Sequence, residues 1–247
     1  MIKFDRVSFS YSASVLIKDL SFSIGFGERI AILGGSGEGK STILKIILGL
    51  IRPDAGRVVI DGEDITDRDE DGLREARMKF SMVFQEGALF DSLTVKENVA
   101  FCLREHENLP EEEIDARVRH ILSTVGVGHA MDLMPEELSG GMHRRVALAR
   151  ALAACDPKMF LYDEPTSGLD PINADNICRL IVSLAHDNRG FIVVTHKVVD
   201  ALKVAERFMF LKDGALSFDG SKDELLSTTD PNIGTFISEM KFGMYAP

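Results

Sequence analysis

The sequence predicts an α/β fold built around a buried parallel sheet. Three short apolar runs are typical of strands that a sheet buries on both faces: "RIAIL" at 29–33, "FLYDE" at 160–164 and "GFIVVTH" at 190–196. Helical patterns of apolar residues separate these runs, one beginning at Ile43 and another in "NADNICRLIVSLAHD" at 173–187. Such an alternation of strand and helix is the pattern of parallel α/β sheets.

The composition is that of an ordinary globular protein, with 45% apolar and 27% charged residues among 247. The formal net charge is -11, from 28 basic and 39 acidic residues, so a protein that coats nucleic acid is disfavoured. Cys102, Cys155 and Cys178 are widely spaced and form no CxxC pair, which indicates a reducing compartment. We therefore expect a cytoplasmic protein without a nucleic-acid partner.

The first sixty residues predict strands. "IKFDRVSFSY" at 2–11 alternates with period two, "SFSIGFGERIAIL" at 21–33 carries two apolar runs, and "GRVVIDG" at 56–62 lies between turn residues. The charges in "MIKFDRVSFSYS" are unlike an export signal, and "ILKIILGLI" at 43–51 is shorter than the ~20 apolar residues of a membrane span. We therefore expect any action at a membrane to pass through a partner.

Helical patterns dominate from about residue 86 to 156. In "LPEEEIDARVRHILSTVGV" at 109–127, Pro110 suits a first helical turn and three glutamates complement the helix dipole. One apolar stripe runs along this segment, formed by Ile114, Val118, Ile121, Leu122 and Val125. Strands return afterwards, and "FMFLKDGALSFDG" at 208–220 predicts a closing hairpin around Asp213-Gly214.

The stretch "GGSGEGKST" at 34–42 fits the P-loop pattern Gly-x-x-x-x-Gly-Lys-Ser. The alternative is an ordinary glycine-rich turn, but Lys-Ser at this offset, between a strand and a helix, favours a P-loop. Lys40 would reach the β- and γ-phosphates, and the Ser41 hydroxyl would coordinate Mg²⁺. The predicted nucleotide-binding residues are Gly34, Gly35, Ser36, Gly37, Glu38, Gly39, Lys40, Ser41 and Thr42. Because an acid beside phosphate repels it, we expect the Glu38 side chain to point to solvent.

Two carboxylates, Asp163 and Glu164, end an apolar strand at the edge where open α/β sheets bind ligands. Asp163 suits the Mg²⁺ shell through a water molecule, and Glu164 can polarise or deprotonate an attacking water. Alone, such a pair would be a helix cap or a loop acid. Beside a complete P-loop it predicts nucleotide hydrolysis.

Four further motifs narrow the class: "FQEG" at 84–87, "LSGGMHRR" at 138–145, "SGLDP" at 167–171 and "THK" at 195–197. In order and spacing the chain resembles the ATP-binding cassette (ABC) family over residues 1–225. The resemblance implies a P-loop NTPase fold with a RecA-like α/β core, an antiparallel β subdomain and a helical subdomain inserted at about 86–156. Residues 226–247 would form a C-terminal extension.

The same resemblance implies roles for single residues. Tyr11 would stack on the adenine of ATP; the alternative is a core tyrosine on a strand face. Gln85 would contact Mg²⁺ and the attacking water, and His196 would bind the γ-phosphate and hold that water. Asp170, in the D-loop, would work at a dimer seam.

The signature loop implies a homodimer. In ABC ATPases this loop binds the γ-phosphate held by the opposite subunit, so Ser139, Gly140 and Gly141 would complete a partner's site. Helix-terminal N–H groups preceded by small residues suit such an anion. One P-loop and one signature per chain mean that two chains make two composite ATP sites. We expect the neighbouring Arg144 and Arg145 to serve helix packing or salt bridges with acids such as Glu136 and Glu137.

Met142 stands where most ABC signatures carry glutamine. Together with Met142, the segment "FQEGALFDSLTVKENVAFCLREH" at 84–106 makes the sequence resemble the ATPases of Mla/MCE-type phospholipid transport systems. One difference is Cys102, which stands where a proline is expected. The resemblance implies a peripheral subunit on the cytoplasmic face of the bacterial inner membrane, docked to a permease through a groove beside Gln85. Candidate groove residues lie in 86–106 and include Leu89, Phe90 and Leu93; a plain helical core is the alternative.

Two other functions stay open at this point: the ATPase of a small-solute ABC importer, and a soluble ABC ATPase without a membrane partner. The tail "DPNIGTFISEMKFGMYAP" at 230–247 leaves two structural alternatives. Its apolar residues recur at helical spacing, so a helix could pack on a partner or back on its own domain; they are Ile233, Phe236, Ile237 and Met240.

Overall fold

The computed structural model describes residues 1–12, 14–154, 157–185 and 189–243. The strands in this part of the chain are β1 (Ile2–Tyr11), β2 (Ser14–Ile24), β3 (Arg29–Leu33), β4 (Ala55–Ile60), β5 (Glu63–Asp64), β6 (Phe80–Val83), β7 (Met159–Asp163), β8 (Gly190–Thr195), β9 (Arg207–Lys212) and β10 (Ala215–Ser221). The helices there are α1 (Lys40–Ile47), α2 (Glu70–Arg77), α3 (Val95–His106), α4 (Glu111–Thr124), α5 (Gly140–Leu152), α6 (Pro171–Leu184), α7 (Val198–Val204), α8 (Lys222–Ser227) and α9 (Pro231–Gly243).

The larger sheet has the strand order β10-β9-β3-β8-β7-β6 among the described residues. Neighbouring strands from β9 to β6 pair in parallel, and β10 pairs antiparallel with β9 at the edge. All residues of β7 and β8 are buried, as continuous apolar strands in a parallel sheet should be. The predicted α/β core and its closing hairpin are both confirmed.

The smaller sheet is antiparallel, with the order β2-β1-β4-β5. In β1 the buried residues alternate with exposed ones, because a strand with one solvated face turns successive side chains to opposite sides. Ile2 and Phe4 pack in one apolar cluster with α1 residues such as Ile43. This cluster fixes the antiparallel sheet against the helix that follows the P-loop.

Helices α3, α4 and α5, together with 3₁₀ turns at Gly128–Ala130 and Pro135–Glu137, occupy the stretch predicted to be helical. Thr94 and Glu97 form a capping box at the start of α3. Val99, Val118 and Val146 are fully buried in the core of these helices. Each such side chain contributes about 1.5–3 kcal/mol through burial.

The fully buried amide of Asn98 ties α3 to the segment before it. Its oxygen accepts a hydrogen bond from the Phe90 N–H at 2.8 Å. The two hydrogens of its NH2 group are shared among three carbonyl oxygens at 2.9–3.1 Å from the nitrogen, those of Phe90, Leu93 and Thr94. Because all four bonds go to backbone groups, Asn98 fixes the conformation of residues 90–94.

Five of the described elements were not predicted: the strands β5 and β6 and the short helices α2, α7 and α8. The four-residue β6 is too short to show a period, and it forms because β7 offers it a parallel partner. Helix α2 has few apolar residues and is capped by Asp69, whose carboxylate accepts from the Gly72 N–H at 3.0 Å. Helix α8 begins with a capping box of Ser221 and Glu224.

The C-terminal segment forms helix α9, and its described apolar side chains pack on the chain's own domain. Ile233 and Ile237 are buried, and the Phe236 ring contacts Phe210 edge-on at 5.0 Å between centroids. The side chain of Met240 and the residue Cys155 lie outside the described part. Among the described helices, none has the length and apolar character needed to cross a bilayer.

Candidate active site

The parallel register brings the ends of three strands together. Leu33 at the end of β3 pairs with Thr195 at the end of β8, and Asp163 at the end of β7 pairs with Val194. The loops that follow β3, β7 and β8 therefore leave the same edge of the sheet. This is the edge at which open α/β sheets bind ligands.

The glycine-rich loop between β3 and α1 depends on close backbone packing. A Cβ at Gly34 would lie 2.5 Å from the carbonyl oxygen of Leu211, so no larger residue fits there. Gly39 caps α1 with φ of 100°, in the left-handed region that favours glycine. No side chain of the described residues caps the N-terminus of α1, so its first N–H groups are available to bind an anion.

Lys40 is buried, and its ammonium group is held by the loop itself. The Nζ donates to the carbonyl oxygens of Gly34 and Gly35 at 3.0 and 2.8 Å and lies 3.9 Å from the Glu164 carboxylate. Burial lowers the pKa of Lys40, while Glu164, Asp163 and Glu38 act in the opposite direction. A buried cation held by neutral carbonyl oxygens and a more distant carboxylate can exchange the carbonyl partners for phosphate oxygens.

Ser41 and Asp163 bring a hydroxyl and a carboxylate oxygen together. The Ser41 hydroxyl donates to Asp163 Oδ1 at 2.8 Å. Burial raises the pKa of the Asp163 carboxyl, and the hydrogen bond from Ser41 acts against this rise. Hydroxyl and carboxylate oxygens are the protein ligands that Mg²⁺ takes in phosphate-binding sites, so the donor set fits this ion.

Glu164 is only 7% exposed and is held by several donors. Its Oε1 accepts from the backbone N–H of His196 at 3.0 Å and lies 2.9 Å from His196 Nδ1. Its Oε2 accepts from the Thr195 hydroxyl at 3.1 Å. Because an ionised carboxylate only accepts, Nδ1 carries a proton in this contact; Nε2 then accepts in the neutral ring and can donate to a phosphate oxygen in the doubly protonated ring.

The backbone at Glu164 adopts φ of 46°, an uncommon conformation for a residue with a side chain. Its N–H donates to the carbonyl oxygen of Val194 at 2.9 Å, which extends the β7–β8 pairing by one residue. Strained residues of this kind persist where the surrounding structure fixes them, and they cluster at functional sites. In this conformation the Glu164 carboxylate lies 3.9 Å from the Lys40 ammonium group.

A cavity of about 470 Å³ opens above the glycine-rich loop, a size in the range of small-molecule sites. Tyr11 lies on its wall, half exposed, with its ring edge-on to Phe9 at 4.8 Å. Gln85 is exposed and also lines the cavity. The lining includes ten of the predicted site residues: Tyr11, Ser36, Gly37, Gly39, Lys40, Ser41, Thr42, Gln85, Glu164 and His196.

The prediction that Glu38 points to solvent is wrong. Its side chain is 15% exposed and turns toward the β9–β10 hairpin. There Oε1 accepts from Lys212 Nζ at 3.0 Å and Oε2 from the Asp213 N–H at 2.7 Å. A cation and a backbone donor are available within the fold, so the carboxylate binds them instead of water.

The predicted signature and D-loop residues do not line this cavity. Ser139 caps α5, its hydroxyl accepting from the Met142 N–H at 3.3 Å, and it is exposed together with Gly140. Asp170 caps α6 by accepting from the Ile172 and Asn173 N–H groups at 3.0 and 3.1 Å. Hydrogen bonds from Asn173 lower the pKa of Asp170.

The signature and D-loop lie next to each other. A Cβ built on Gly141 would be 3.2 Å from the side chain of Asn173, the residue that Asp170 caps. Arg144 joins both loops to the segment around Gln85, because its guanidinium donates to the carbonyl oxygens of Ser167 and Phe84 at 3.3 and 3.4 Å. The signature, D-loop and Gln85 segment are thus connected through one side chain.

Arg144 and Arg145 bind backbone carbonyl oxygens, while the role expected for them was helix packing or salt bridges with acids such as Glu136 and Glu137. Arg145 donates to the Val125 carbonyl oxygen at 2.8 Å. Among the described residues, neither guanidinium forms an ion pair with Glu136 or Glu137. Backbone carbonyl oxygens, and not these carboxylates, accept the hydrogen bonds of the two guanidinium groups.

Sequence reasoning missed three residues of the site: Thr195, Leu16 and Lys212. Thr195 is the last residue of β8 and immediately precedes the predicted site residue His196. Its position beside His196 could therefore have identified it as a site residue. Leu16 lines the cavity, a position that follows from the pairing of β1 with β2. Lys212 had no signal, since its contact with Glu38 spans 174 positions of sequence.

Comparison with known proteins decides the family. The family model described as "ABC transporter" matches residues 17–167, more than half of the chain. The chain belongs to the ABC transporter family. As an ABC ATPase it binds and hydrolyses ATP, and the predicted fold class is confirmed.

Individual relatives cover nearly the whole chain. The intermembrane phospholipid transport system ATP-binding protein MlaF of Haemophilus influenzae is 39% identical over 96% of this chain and 90% of its own length. The probable ribonucleotide transport ATP-binding protein mkl of Mycobacterium tuberculosis is 37% identical over 98% of this chain and 67% of its own. Among solved structures, the ATP-binding cassette MJ0796, which is dimeric and bound to ADP and Pi, superposes on this chain with a TM-score of 0.83 and is 35% identical in sequence. The superposition covers 90% of this chain and 98% of MJ0796.

We predict that Glu164→Gln binds ATP but hydrolyses it at least about 100-fold more slowly, the usual loss when a general base is removed. The amide keeps the shape of the side chain; its oxygen can accept from the His196 N–H and its NH2 group can donate to the Thr195 hydroxyl, so binding should persist. Phosphate release at saturating ATP measures turnover, and fluorescence of a labelled ATP analogue measures binding. Turnover equal to that of the unmodified chain would remove Glu164 from the reaction.

Proposed function

We propose that this chain is the ATP-hydrolysing subunit of an ABC transporter that energises phospholipid transport between membranes of the bacterial envelope. The observation that carries the proposal is its 39% identity to MlaF over 96% of the chain, and one cavity lined by Lys40, Glu164 and His196 supports it. The ABC ATPase domain would span residues 1–225, with the helical subdomain at about 86–156 and an extension at 226–247.

In the proposed site, ATP lies in the cavity with its adenine against Tyr11 and its phosphates on the glycine-rich loop. Lys40 supplies positive charge to the β- and γ-phosphates in place of its present carbonyl contacts. Mg²⁺ would be held by Ser41, by Asp163 through water and by Gln85, and it would neutralise charge that develops on the phosphates. The first two of these groups are already within hydrogen-bond distance of each other.

Hydrolysis would be carried by Glu164, His196 and Gln85. Glu164 accepts a proton from, or polarises, the attacking water, while His196 binds the γ-phosphate and holds the geometry of that water. The hydrogen bonds from Thr195 and His196 keep the carboxylate in one position, so little reorganisation precedes the reaction. Most of the rate gain then comes from placement rather than from new covalent chemistry.

The active unit would be a homodimer with two composite sites. Ser139, Gly140 and Gly141 lie outside the cavity of their own chain, and Ser139 and Gly140 are exposed. Together with the N–H groups at the start of α5, they can bind the γ-phosphate of a second chain. Asp170, beside them, would lie at the seam, and the dimeric MJ0796 structure supports this arrangement.

We predict that ATP drives dimer formation of the Glu164→Gln chain, and that adding Ser139→Glu prevents it. The added carboxylate would face the partner's γ-phosphate and repel it. Size-exclusion chromatography with light scattering, with and without ATP, measures the mass. Ser123→Glu is the matched control, since Ser123 is an exposed serine on α4 and belongs to neither the signature loop nor the D-loop. A Ser139→Glu chain that dimerises as well as this control would contradict the composite site.

The permease would dock beside Gln85, which makes the chain a peripheral subunit on the cytoplasmic face of the inner membrane, with indirect membrane contact and no nucleic-acid partner. Phe90 is 38% exposed, and its ring contacts that of the exposed Phe101 at a tilted angle, with 4.8 Å between the centroids. The Arg150 guanidinium lies over the Phe90 ring at 4.8 Å and also donates to the Ala88 carbonyl oxygen. An exposed aromatic pair held in this way offers a firm apolar surface to a helix. Leu89 packs against the helical core, so it supports that surface from below.

Phospholipid is the proposed cargo because of the relatedness to MlaF and because of Met142. A methionine at this signature position has neither the amide donor nor the acceptor of glutamine, and here it packs against the helical core. A second candidate cargo is a ribonucleotide, as the name of the mycobacterial relative says of that protein. The two differ in chemistry: one cargo is a membrane lipid, the other a soluble anion.

We predict that the complex purified through this chain in mild detergent carries phospholipid and, in vesicles, transfers fluorescent phospholipid in an ATP-dependent manner. Mass spectrometry identifies the lipid, and transfer between labelled and unlabelled vesicles measures transport. The Glu164→Gln complex is the control, because it should assemble but not transfer. If ribonucleotides stimulated the ATPase activity and no lipid were transferred, phospholipid would be excluded as the cargo and a ribonucleotide favoured.

A further inference from the structure

The carboxylate of Glu38 lies within the phosphate-binding loop but is fully engaged elsewhere. One oxygen accepts from Lys212 Nζ at 3.0 Å and the other from the Asp213 N–H at 2.7 Å. Its side chain is 15% exposed, whereas that of Lys212 is 38% exposed. Neither residue lines the cavity above the loop.

These contacts join the loop to the turn between β9 and β10. Asp213 and Gly214 form this turn with φ of 51° and 81°, which directs the Asp213 N–H toward Glu38. At the other end of the loop, Gly34 packs against the carbonyl of Leu211, one residue before Lys212. The hairpin therefore holds the loop at both Gly34 and Glu38.

The charge of Glu38 has a consequence for a polyphosphate ligand. An unpaired carboxylate in this loop would repel the phosphates of ATP. The negative charge of Glu38 also acts on Lys40 in the same loop, where it is one of the carboxylates that raise the lysine pKa against the effect of burial. The hydrogen bond and charge of Glu38 in turn raise the pKa of Lys212, which keeps that partner cationic.

We propose that Glu38 and Lys212 are a positioning pair for ATP binding: Lys212 neutralises the loop's own carboxylate, and the carboxylate fastens the loop to the hairpin. Neither side chain contacts the nucleotide. The pair explains how an acid is accommodated within a loop that binds anions. It rests on ATP binding in the cavity and is independent of the transported substrate.

The test is a double-mutant cycle on the full chain with Lys212→Met, Glu38→Gln and both together. Competition against a fluorescent ATP analogue gives the dissociation constants of ATP and of ADP at low and high ionic strength. We expect Lys212→Met to weaken ATP binding about tenfold at low salt, ADP binding less, and both less at high salt. The double variant should return to within about twofold of Glu38→Gln, because the repelling charge is gone.

Two controls separate charge from structure. Lys18→Met removes a positive charge from an exposed lysine of β2 whose backbone N–H bonds to Gly214, and it should leave ATP binding unchanged. Lys212→Arg keeps the charge and should bind ATP as the unmodified chain does. Thermal unfolding verifies that each variant is folded.

Unchanged ATP binding in Lys212→Met would overturn the proposal. A double variant as weak as Lys212→Met alone would overturn it too, since Lys212 would then act structurally and not through the charge of Glu38. Failure of the unmodified chain to bind ATP would be a different result, because it would refute the nucleotide site itself.

Discussion

The parallel pairing of β3, β7 and β8 is the constraint on which the site depends. It sets Leu33 beside Thr195 and Asp163 beside Val194, so the loops with Lys40, Glu164 and His196 leave the sheet together. Their side chains then reach one another directly: Lys40 lies 3.9 Å from the Glu164 carboxylate, and His196 2.9 Å from it. A shift of one residue in either register would separate them.

Charge within the site is handled locally, although the whole chain has an excess of acids. The Lys40 ammonium is bound by backbone carbonyls, Asp163 by the Ser41 hydroxyl, and Glu38 by Lys212. Each buried or half-buried charge thus has a partner before any nucleotide arrives, which avoids the cost of an unpaired charge. Nucleotide binding can proceed by exchange of these partners.

Much of the fold could be predicted because its signals are local. The apolar runs gave the buried strands β3, β7 and β8, the glycine pattern gave the phosphate loop, and the stripe of α4 gave the helical stretch. What could not be predicted depends on contacts between distant positions. β6 forms only against β7, Thr195 reaches Glu164 only through strand register, and Lys212 meets Glu38 only because the hairpin lies over the loop. The prediction that Glu38 points to solvent was wrong for this reason. Its charge can be read from the sequence, but its partner Lys212 cannot.

The central claim is that the cavity of one chain is half of an active site, since Ser139, Gly140 and Gly141 lie outside it. The most direct measurement is the ATP turnover per chain of the isolated protein as a function of protein concentration, at saturating ATP and Mg²⁺. A composite site predicts that turnover per chain rises with concentration and levels off as dimers form. The account would be contradicted if turnover per chain stayed constant down to protein concentrations at which light scattering finds only monomers.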